Sequence, residues 1–139
     1  MIALDTNILI HALVHSQKEH PRAKNWILKN RLPLSTTPVN VAEVFRLLTH
    51  PKVFAKPLSL ASAIDLFESF VKDWEVAILE ESQNWWIELR ELTKTLPGLS
   101  GNEVFDARIA LCLKHNGVSK ICTLDDDFLK YHFLKVERI

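Results

Sequence analysis

Glycine is scarce in this sequence, with three residues among 139. Phosphate-binding loops of nucleotide-binding proteins need several glycines at fixed spacings, so a site of that kind is excluded. Cysteine is also rare, and Cys112 and Cys122 do not form a metal-ligand spacing. Because each lies in an apolar run, we expect two reduced thiols in the core.

The sequence also lacks an excess of charge of either sign, since Lys plus Arg and Asp plus Glu number 17 each. That balance excludes broad non-specific binding to nucleic acid, which needs a basic surface, but it allows a local basic patch beside an acidic site. No apolar run is long enough to cross a bilayer, and residues 1–5 lack the basic segment of a signal peptide. We therefore expect a soluble, cytoplasmic protein without membrane contact.

The composition that remains is globular, with 47% hydrophobic and 24% charged residues. The length suits one domain of ordinary size, and we find no internal repeat and no linker within the chain. These features predict a single domain over residues 1–139.

Short apolar runs alternate with helical patterns along the chain. Strands are predicted at residues 1–4, 33–36, 76–79, 119–123 and 134–139. Helices are predicted after Asp5, from His20, from Pro38 to about Thr49, from Ser59 to Trp74, from Ser82 to Leu96 and from a capping box at Ser100 and Glu103 to a stop at Asn116 and Gly117. This alternation predicts an α/β domain with a mainly parallel sheet of about five strands.

Two aspartates follow predicted strands. Asp5 comes directly after the first strand and Asp125 after the fourth. Because ligands of open α/β sheets bind beyond the carboxyl ends of the strands, both are candidates for a common site. The structural alternatives are a helix N-cap for Asp5 and a solvated turn for Asp125, and both alternatives stay open at this point.

Two further acids lie on predicted helices. Glu43 has two structural alternatives, a capping box with Asn40 and an ion pair with Arg46 one turn later. Asp106 is predicted in mid-helix, on or beside the apolar face that contains Ile109. A buried carboxylate is costly unless it is paired or binds a metal, so we favour metal binding over a salt bridge there.

Together the four acids predict a divalent-metal pocket. Four neighbouring carboxylates repel one another without cations, and oxygen ligands suit Mg²⁺ or Mn²⁺. Such ions can activate a water on one side of a phosphate and stabilise the leaving oxygen on the other. The expected reaction is hydrolysis of a phosphodiester bond.

Other side chains suggest less. His11 and His15 are one turn apart, a ligand spacing on a helix, but no third ligand is evident in the sequence. Trp85 and Trp86 could stack on bases, although packing in a core or dimer surface suits them better. The helices between residues 38 and 74 carry more apolar residues than one inner face needs, which is consistent with an interface.

Four segments carry a resemblance to a known family. They are, in chain order, MIALDTN at 1–7, NVAEVFR at 40–46, GNEVFDARIA at 101–110 and TLDDDF at 123–128. Their order and the chain length resemble the PIN-domain ribonucleases, and most closely the VapC-type toxins of bacterial toxin–antitoxin pairs. Each segment is short, but the four in this order, spread over the whole chain, make the resemblance specific.

The resemblance implies a PIN-like α/β/α sandwich and a Mg²⁺- or Mn²⁺-dependent endonuclease that acts on RNA. It also implies a homodimer and a cognate VapB-type antitoxin that blocks the site. Asp5 and Asp106 would be the chief metal ligands, and Glu43 and Asp125 would complete the pocket directly or through water.

Further residues would support this pocket. Thr6, Asn7 and Thr123 could steady the carboxylates by hydrogen bonds. Asp127 could replace Asp125 as the fourth acid, or it could cap the turn that begins at Phe128. The side chains of Arg46 and Arg108 could contact phosphates at the rim, or form salt bridges that hold the acids.

Two hypotheses compete with a ribonuclease. A receiver-like phosphoacceptor domain needs an aspartate after a middle strand, but the run at 76–79 is followed by Glu80 and Glu81. A non-catalytic binding module would use the carboxylates as caps and salt bridges. For a metal pocket, we predict that Asp106→Asn leaves the melting temperature of the metal-free protein unchanged or raised, because like charges destabilise the folded state.

Overall fold

A computed structural model describes all 139 residues and contains a five-stranded sheet. The strands are β1 (Ile2–Leu4), β2 (Leu34–Thr36), β3 (Ala77–Ile78), β4 (Lys120–Cys122) and β5 (Lys135–Glu137). Their order across the sheet is β3-β2-β1-β4-β5, and every neighbouring pair is parallel. The predicted α/β class, with a parallel sheet of five strands, is confirmed.

Helices cover both faces of this sheet. They are α1 (Thr6–Leu13), α2 (His20–Lys29), α3 (Pro38–Leu48), α4 (Leu60–Trp74), α5 (Trp85–Leu92) and α6 (Glu103–His115), followed by a 3₁₀ turn at Asp127–Lys130. Side chains alternate along β1, so Ile2 and Leu4 join a core with α1 to α4, whereas Ala3 joins a second core with α6. The result is an α/β/α sandwich, and none of its helices has the length and apolar character to cross a membrane.

Helix α5 is shorter than the sequence predicts. The pattern from Ser82 to Leu96 indicates one long helix, but the α-helix covers Trp85–Leu92. The residues on either side form tight turns, for example through the bond from Trp85 N to Ser82 O at 3.2 Å. No residue of α5 is fully buried, so little packing energy is available to extend the helix beyond its own turns.

Helix α6 begins later than expected and ends as expected. The predicted capping box is wrong: Glu103 accepts a weak bond of 3.4 Å from Ser100 N, but the Ser100 hydroxyl does not cap the helix. Consequently Asp106 lies in the first turn of α6 and not in mid-helix. The predicted stop is confirmed, because Asn116 caps the helix and Gly117 takes a φ of +68° that favours glycine.

The strand order reverses direction at β1, and a crevice is expected there at the carboxyl edge of the sheet. From β1 the chain proceeds to β2 and β3 on one side, and β4 and β5 lie on the other side. Crossover connections therefore leave β1 in opposite directions, which separates the loops that follow β1 and β4. Asp5 and Asp125 follow these two neighbouring strands.

Candidate metal centre

Asp5 is the buried centre of the site, with 5% of its surface exposed. Its Oδ1 accepts hydrogen bonds from Thr6 N (2.8 Å) and Asn40 Nδ2 (3.0 Å). Its Oδ2 accepts from the Thr123 hydroxyl (2.6 Å) and from Asn7 Nδ2 (3.1 Å). Burial raises the pKa of Asp5 to about 6 in spite of these bonds. Asp5 also caps α1, so the capping alternative is correct. The cap accounts for one of its four hydrogen bonds.

Asn7 connects Asp5 to the loop after β4. Its amide nitrogen lies 3.0 Å from both Asp125 Oδ2 and the Thr123 hydroxyl, and its Oδ1 accepts a bond of 3.2 Å from Leu124 N. The amide has two hydrogens and three acceptors in reach, so it shares them among the carboxylates and the threonine. This arrangement fixes the position of Asp125 relative to Asp5.

Glu43 joins the same network through a threonine. The Thr6 hydroxyl donates a 2.7 Å hydrogen bond to Glu43 Oε2, and Arg46 lies 3.6 Å from Oε1. The capping-box alternative for Glu43 is wrong, because Thr37 caps α3 and Asn40 lies inside the helix. The ion pair with Arg46 is present but exposed, so it contributes little to stability.

Asn40 is a residue of this site whose role the sequence did not reveal. It is 1% exposed, and its amide donates to Asp5 and, at 3.0 Å, to the Thr6 hydroxyl. The Thr37 hydroxyl donates to Asn40 Oδ1 at 2.7 Å, so both ends of the amide are satisfied. The sequence feature that could have indicated Asn40 is its spacing from Glu43, since residues 40 and 43 are one turn apart on the same helix face.

Asp106 faces the other acids from α6. It is half-buried, and none of the hydrogen bonds of the site reaches its carboxylate. Burial raises its pKa to about 6, and the charges of Asp127, Glu43 and Asp125 add to that effect against the opposing charge of Lys130. Glu43 and Asp125 also raise the pKa of Asp5, so these two acids lie close to both Asp5 and Asp106 in the fold.

The three consecutive aspartates have different surroundings. Asp125 accepts from Asn7, whereas Asp126 is exposed and pairs with Arg138 Nη2 at 2.5 Å. Arg138 Nη1 also donates to the carbonyl oxygens of Thr123 and Asp125, both at 2.7 Å, which holds the loop in place. Asp127 is the first residue of the 3₁₀ turn and its side chain does not cap it, so the capping alternative is wrong. Its charge raises the pKa of Asp106 more than the charge of any other neighbouring acid does.

Arg108 is engaged away from the four acids. Its guanidinium pairs with both carboxylate oxygens of Glu81 and lies over the ring of Trp85, 4.5 Å from the centroid. A guanidinium with these partners is not free to contact a phosphate, which argues against the suggested rim role. Glu81 follows β3, where a receiver domain would need a free aspartate, but the Glu81 carboxylate is already paired with Arg108.

The histidines form a separate feature. The ring of His15 lies 4.6 Å from that of His20, and both border a cavity of about 350 Å³ between α1, α2 and α4. His20 Nδ1 contacts the carbonyl oxygen of His11 at 2.8 Å. None of the four acids borders this cavity, and no third metal-binding side chain joins the pair.

Comparison with known proteins identifies the family. A model of the PIN-domain family matches residues 2–134. The chain belongs to the PIN-domain family.

Relatives of this PIN domain match it over nearly its whole length. Ribonuclease VapC24 of Mycobacterium tuberculosis is 29% identical over 142 positions, which cover 98% of this chain and 94% of the relative. The structure of VapC20 of the same organism, a sarcin-ricin loop cleaving toxin, has a TM-score of 0.72 at 18% identity and covers 99% of each chain. VapBC2 from Rickettsia felis, bound to a promoter DNA fragment, has a TM-score of 0.65 at 18% identity over 99% of this chain and 98% of its own.

The donor set of this PIN domain fits a hard divalent cation. The site offers carboxylate oxygens, and burial and mutual repulsion raise the pKa of two of them. No three acids are positioned to hold an ion directly. Mg²⁺ does not require three, because it keeps several waters and binds through one or two carboxylates. Asp5 and Asp106 could contact the ion, and Glu43 and Asp125 could act through water.

Proposed function

We propose that this PIN domain is a Mg²⁺- or Mn²⁺-dependent endoribonuclease whose pocket contains Asp5, Glu43, Asp106 and Asp125. The observation that carries the proposal is the hydrogen-bond network that joins Asp5, Asp125 and Glu43 at the carboxyl edge of β1 and β4. Asp106, on α6, is close enough to Glu43 and Asp125 for their charges to raise its pKa. Two of the four acids have a pKa of about 6, so near neutral pH the site has several negative charges and few cations of its own. A divalent cation relieves that repulsion.

In this proposal, polar residues orient the carboxylates and the carboxylates supply the negative charge that binds the cation. Four hydrogen bonds keep Asp5 in one orientation, and Asn7 and Thr6 connect it to Asp125 and Glu43. A bound cation supplies Lewis acidity and an activated water near neutral pH. Asp5 and Asp106 would hold the ion, and Glu43 and Asp125 would support it through water.

We also propose that the protein is the toxin of a toxin–antitoxin pair, with RNA as substrate and a VapB-type protein as partner. Support comes from the relative named ribonuclease VapC24 and from the fold shared with VapC20 and with VapBC2. A homodimer is part of the same proposal. The outward-facing Trp86 and Ile87 of α5 leave apolar surface available for such contacts.

RNA cleavage tests the enzymatic proposal. Purified protein is incubated with a mixed RNA substrate in Mg²⁺, in Mn²⁺ and in excess EDTA, and the products are separated on a denaturing gel. We expect cleavage with either ion, none with EDTA, and a loss of at least about 100-fold for Asp106→Asn. Asp65→Asn is the matched control, because Asp65 is exposed on α4.

Two results would contradict the enzymatic proposal. One is cleavage that persists in EDTA, and the other is Asp106→Asn protein that cleaves as fast as wild type. For the toxin proposal, induced expression should arrest bacterial growth, and Asp106→Asn should not. Co-expression of the antitoxin encoded by an adjacent reading frame should restore growth, and a failure to restore it would count against that partner.

A further inference from the structure

Tyr131 is a buried phenol whose hydroxyl is not used. It is the single tyrosine of the chain, follows the 3₁₀ turn and is 1% exposed. Its ring packs near Phe128 and Phe133, with centroids 6.1 and 6.0 Å away, in the core that contains Ala107 and Ala110 of α6. The hydroxyl oxygen is inaccessible to solvent and has no hydrogen-bond partner. A phenylalanine would fill this position without that cost.

Three acids act on this hydroxyl through their charge. Burial raises the pKa of Tyr131, and the charges of Asp106, Glu103 and Asp127 add to the effect, in that order. The phenol therefore remains a protonated donor. Glu103 already pairs with Lys130, and Asp127 is exposed. Asp106 is half-buried, has no hydrogen bond and directly precedes Ala107, which packs in the same core as Tyr131. The unpartnered hydroxyl of Tyr131 therefore lies in the core that packs against the first turn of α6, and the Asp106 carboxylate of that turn has no hydrogen-bond donor.

We propose that Tyr131 is a positioning residue that donates a hydrogen bond to the Asp106 carboxylate when a divalent cation is bound. The inference rests on the proposed function, because the cation is what would draw Asp106 into one orientation. Carboxylates that ligate metals are normally held by a second hydrogen bond. Asp5 has four such donors, whereas Asp106 has none, and Tyr131 is a buried donor without a partner in the core that contains Ala107, the residue after Asp106.

A spectroscopic experiment tests this contact without altering Tyr131. Protein labelled with ¹³C at the tyrosine Cζ gives one resonance, because the chain has one tyrosine. We expect Mg²⁺ to shift that resonance with the same dissociation constant that ion binding shows, and we expect no shift in Asp106→Asn. The control Asp65→Asn should shift like wild type. A resonance that stays fixed while Mg²⁺ binds would overturn the proposal.

Tyr131→Phe removes the hydroxyl and keeps the ring. We expect the Mn²⁺ dissociation constant, measured from the electron paramagnetic resonance of free Mn²⁺, to rise about tenfold. The melting temperature of the metal-free variant should be unchanged or raised, because a buried unpartnered hydroxyl is lost. Unchanged Mn²⁺ affinity would show that the phenol only fills the core, and would overturn the proposal.

The two levels of the hypothesis fail differently. If wild-type protein binds Mn²⁺ and cleaves RNA but Tyr131→Phe binds Mn²⁺ equally well, the positioning role is wrong and the proposed function stands. If wild-type protein does not bind Mn²⁺ at all, the proposed function is wrong, and the role of Tyr131 is overturned with it.

Discussion

Asn40 donates a hydrogen bond of 3.0 Å to Asp5 Oδ1, and both side chains are almost entirely buried. The same amide donates to the Thr6 hydroxyl, which in turn donates to Glu43. A continuous chain of hydrogen bonds therefore runs from the acid at the end of β1 to the acid on α3. Asn40 holds two elements of the site in register, because α3 and the end of β1 share no other buried polar link of this kind.

Asn40→Ala should destabilise the protein by about 2 kcal/mol, because it leaves buried hydrogen-bonding groups of Asp5 and Thr6 without a partner. Urea denaturation of the metal-free protein measures the change. Asn84→Ala is the control, since Asn84 is exposed and its side chain does not cap α5. Equal losses for the two variants would show that the buried network is not the cause.

Asp106→Asn should leave the melting temperature of the metal-free protein unchanged or raise it. The carboxylate is half-buried, has no hydrogen bond and is close to like charges, so its removal relieves repulsion. Mg²⁺ should raise the melting temperature of wild type but not of the variant. Differential scanning fluorimetry with and without Mg²⁺ measures both effects. A fall of several degrees in the metal-free variant would instead indicate a structural role for Asp106.

The benefit of Asp106→Asn should depend on pH. In the folded state Asp106 has a pKa of about 6, whereas an unfolded aspartate ionises near 3.8. Between these values the folded state binds more protons, so the stability that Asp106 contributes is complete below pH 3.8, is largely present at pH 4 and is lost as pH rises through 6. Chemical denaturation at pH 4 and pH 7 should show the variant gaining on wild type at pH 7. A constant difference would contradict the raised pKa.

Asp5 should act in the same direction in the metal-free protein. Its pKa is also about 6, and because it is buried the associated loss of stability between pH 4 and pH 7 is on the order of 2 kcal/mol. Saturating Mg²⁺ should reverse that loss at pH 7 by favouring the ionised form. Urea midpoints measured at pH 7 with and without Mg²⁺ test this prediction. The sample without Mg²⁺ contains no Ca²⁺ and is adjusted with NaCl to the same ionic strength.

Arg108→Ala should reduce stability and spare RNA cleavage. The guanidinium is about a third exposed, pairs with Glu81 and lies over Trp85, so we expect a loss of about 1–2 kcal/mol. A double-mutant cycle with Glu81→Gln measures the coupling, and Arg90→Ala on the exposed side of α5 is the control. A large loss of cleavage with unchanged stability would restore the phosphate-contact role that the geometry argues against.

The sequence by itself determined the elements and their class. Apolar runs and helix end signals were enough to place five strands and six helices, because hydrophobic periodicity and capping chemistry act over a few residues. The errors concern the ends of two helices, α5 and α6. Ser100 does not cap α6, since the helix begins at Glu103, and α5 ends early because none of its residues is fully buried. The acids were candidates by residue type and position.

Only the tertiary structure decided how those acids meet. The strand order places the ends of β1 and β4 side by side, and this brings residues 5 and 125 to one amide, that of Asn7. The burial of Asn40, the engagement of Arg108 by Glu81 and the unpartnered hydroxyl of Tyr131 depend on contacts between residues far apart in the chain. Such contacts follow from packing, which no local pattern encodes.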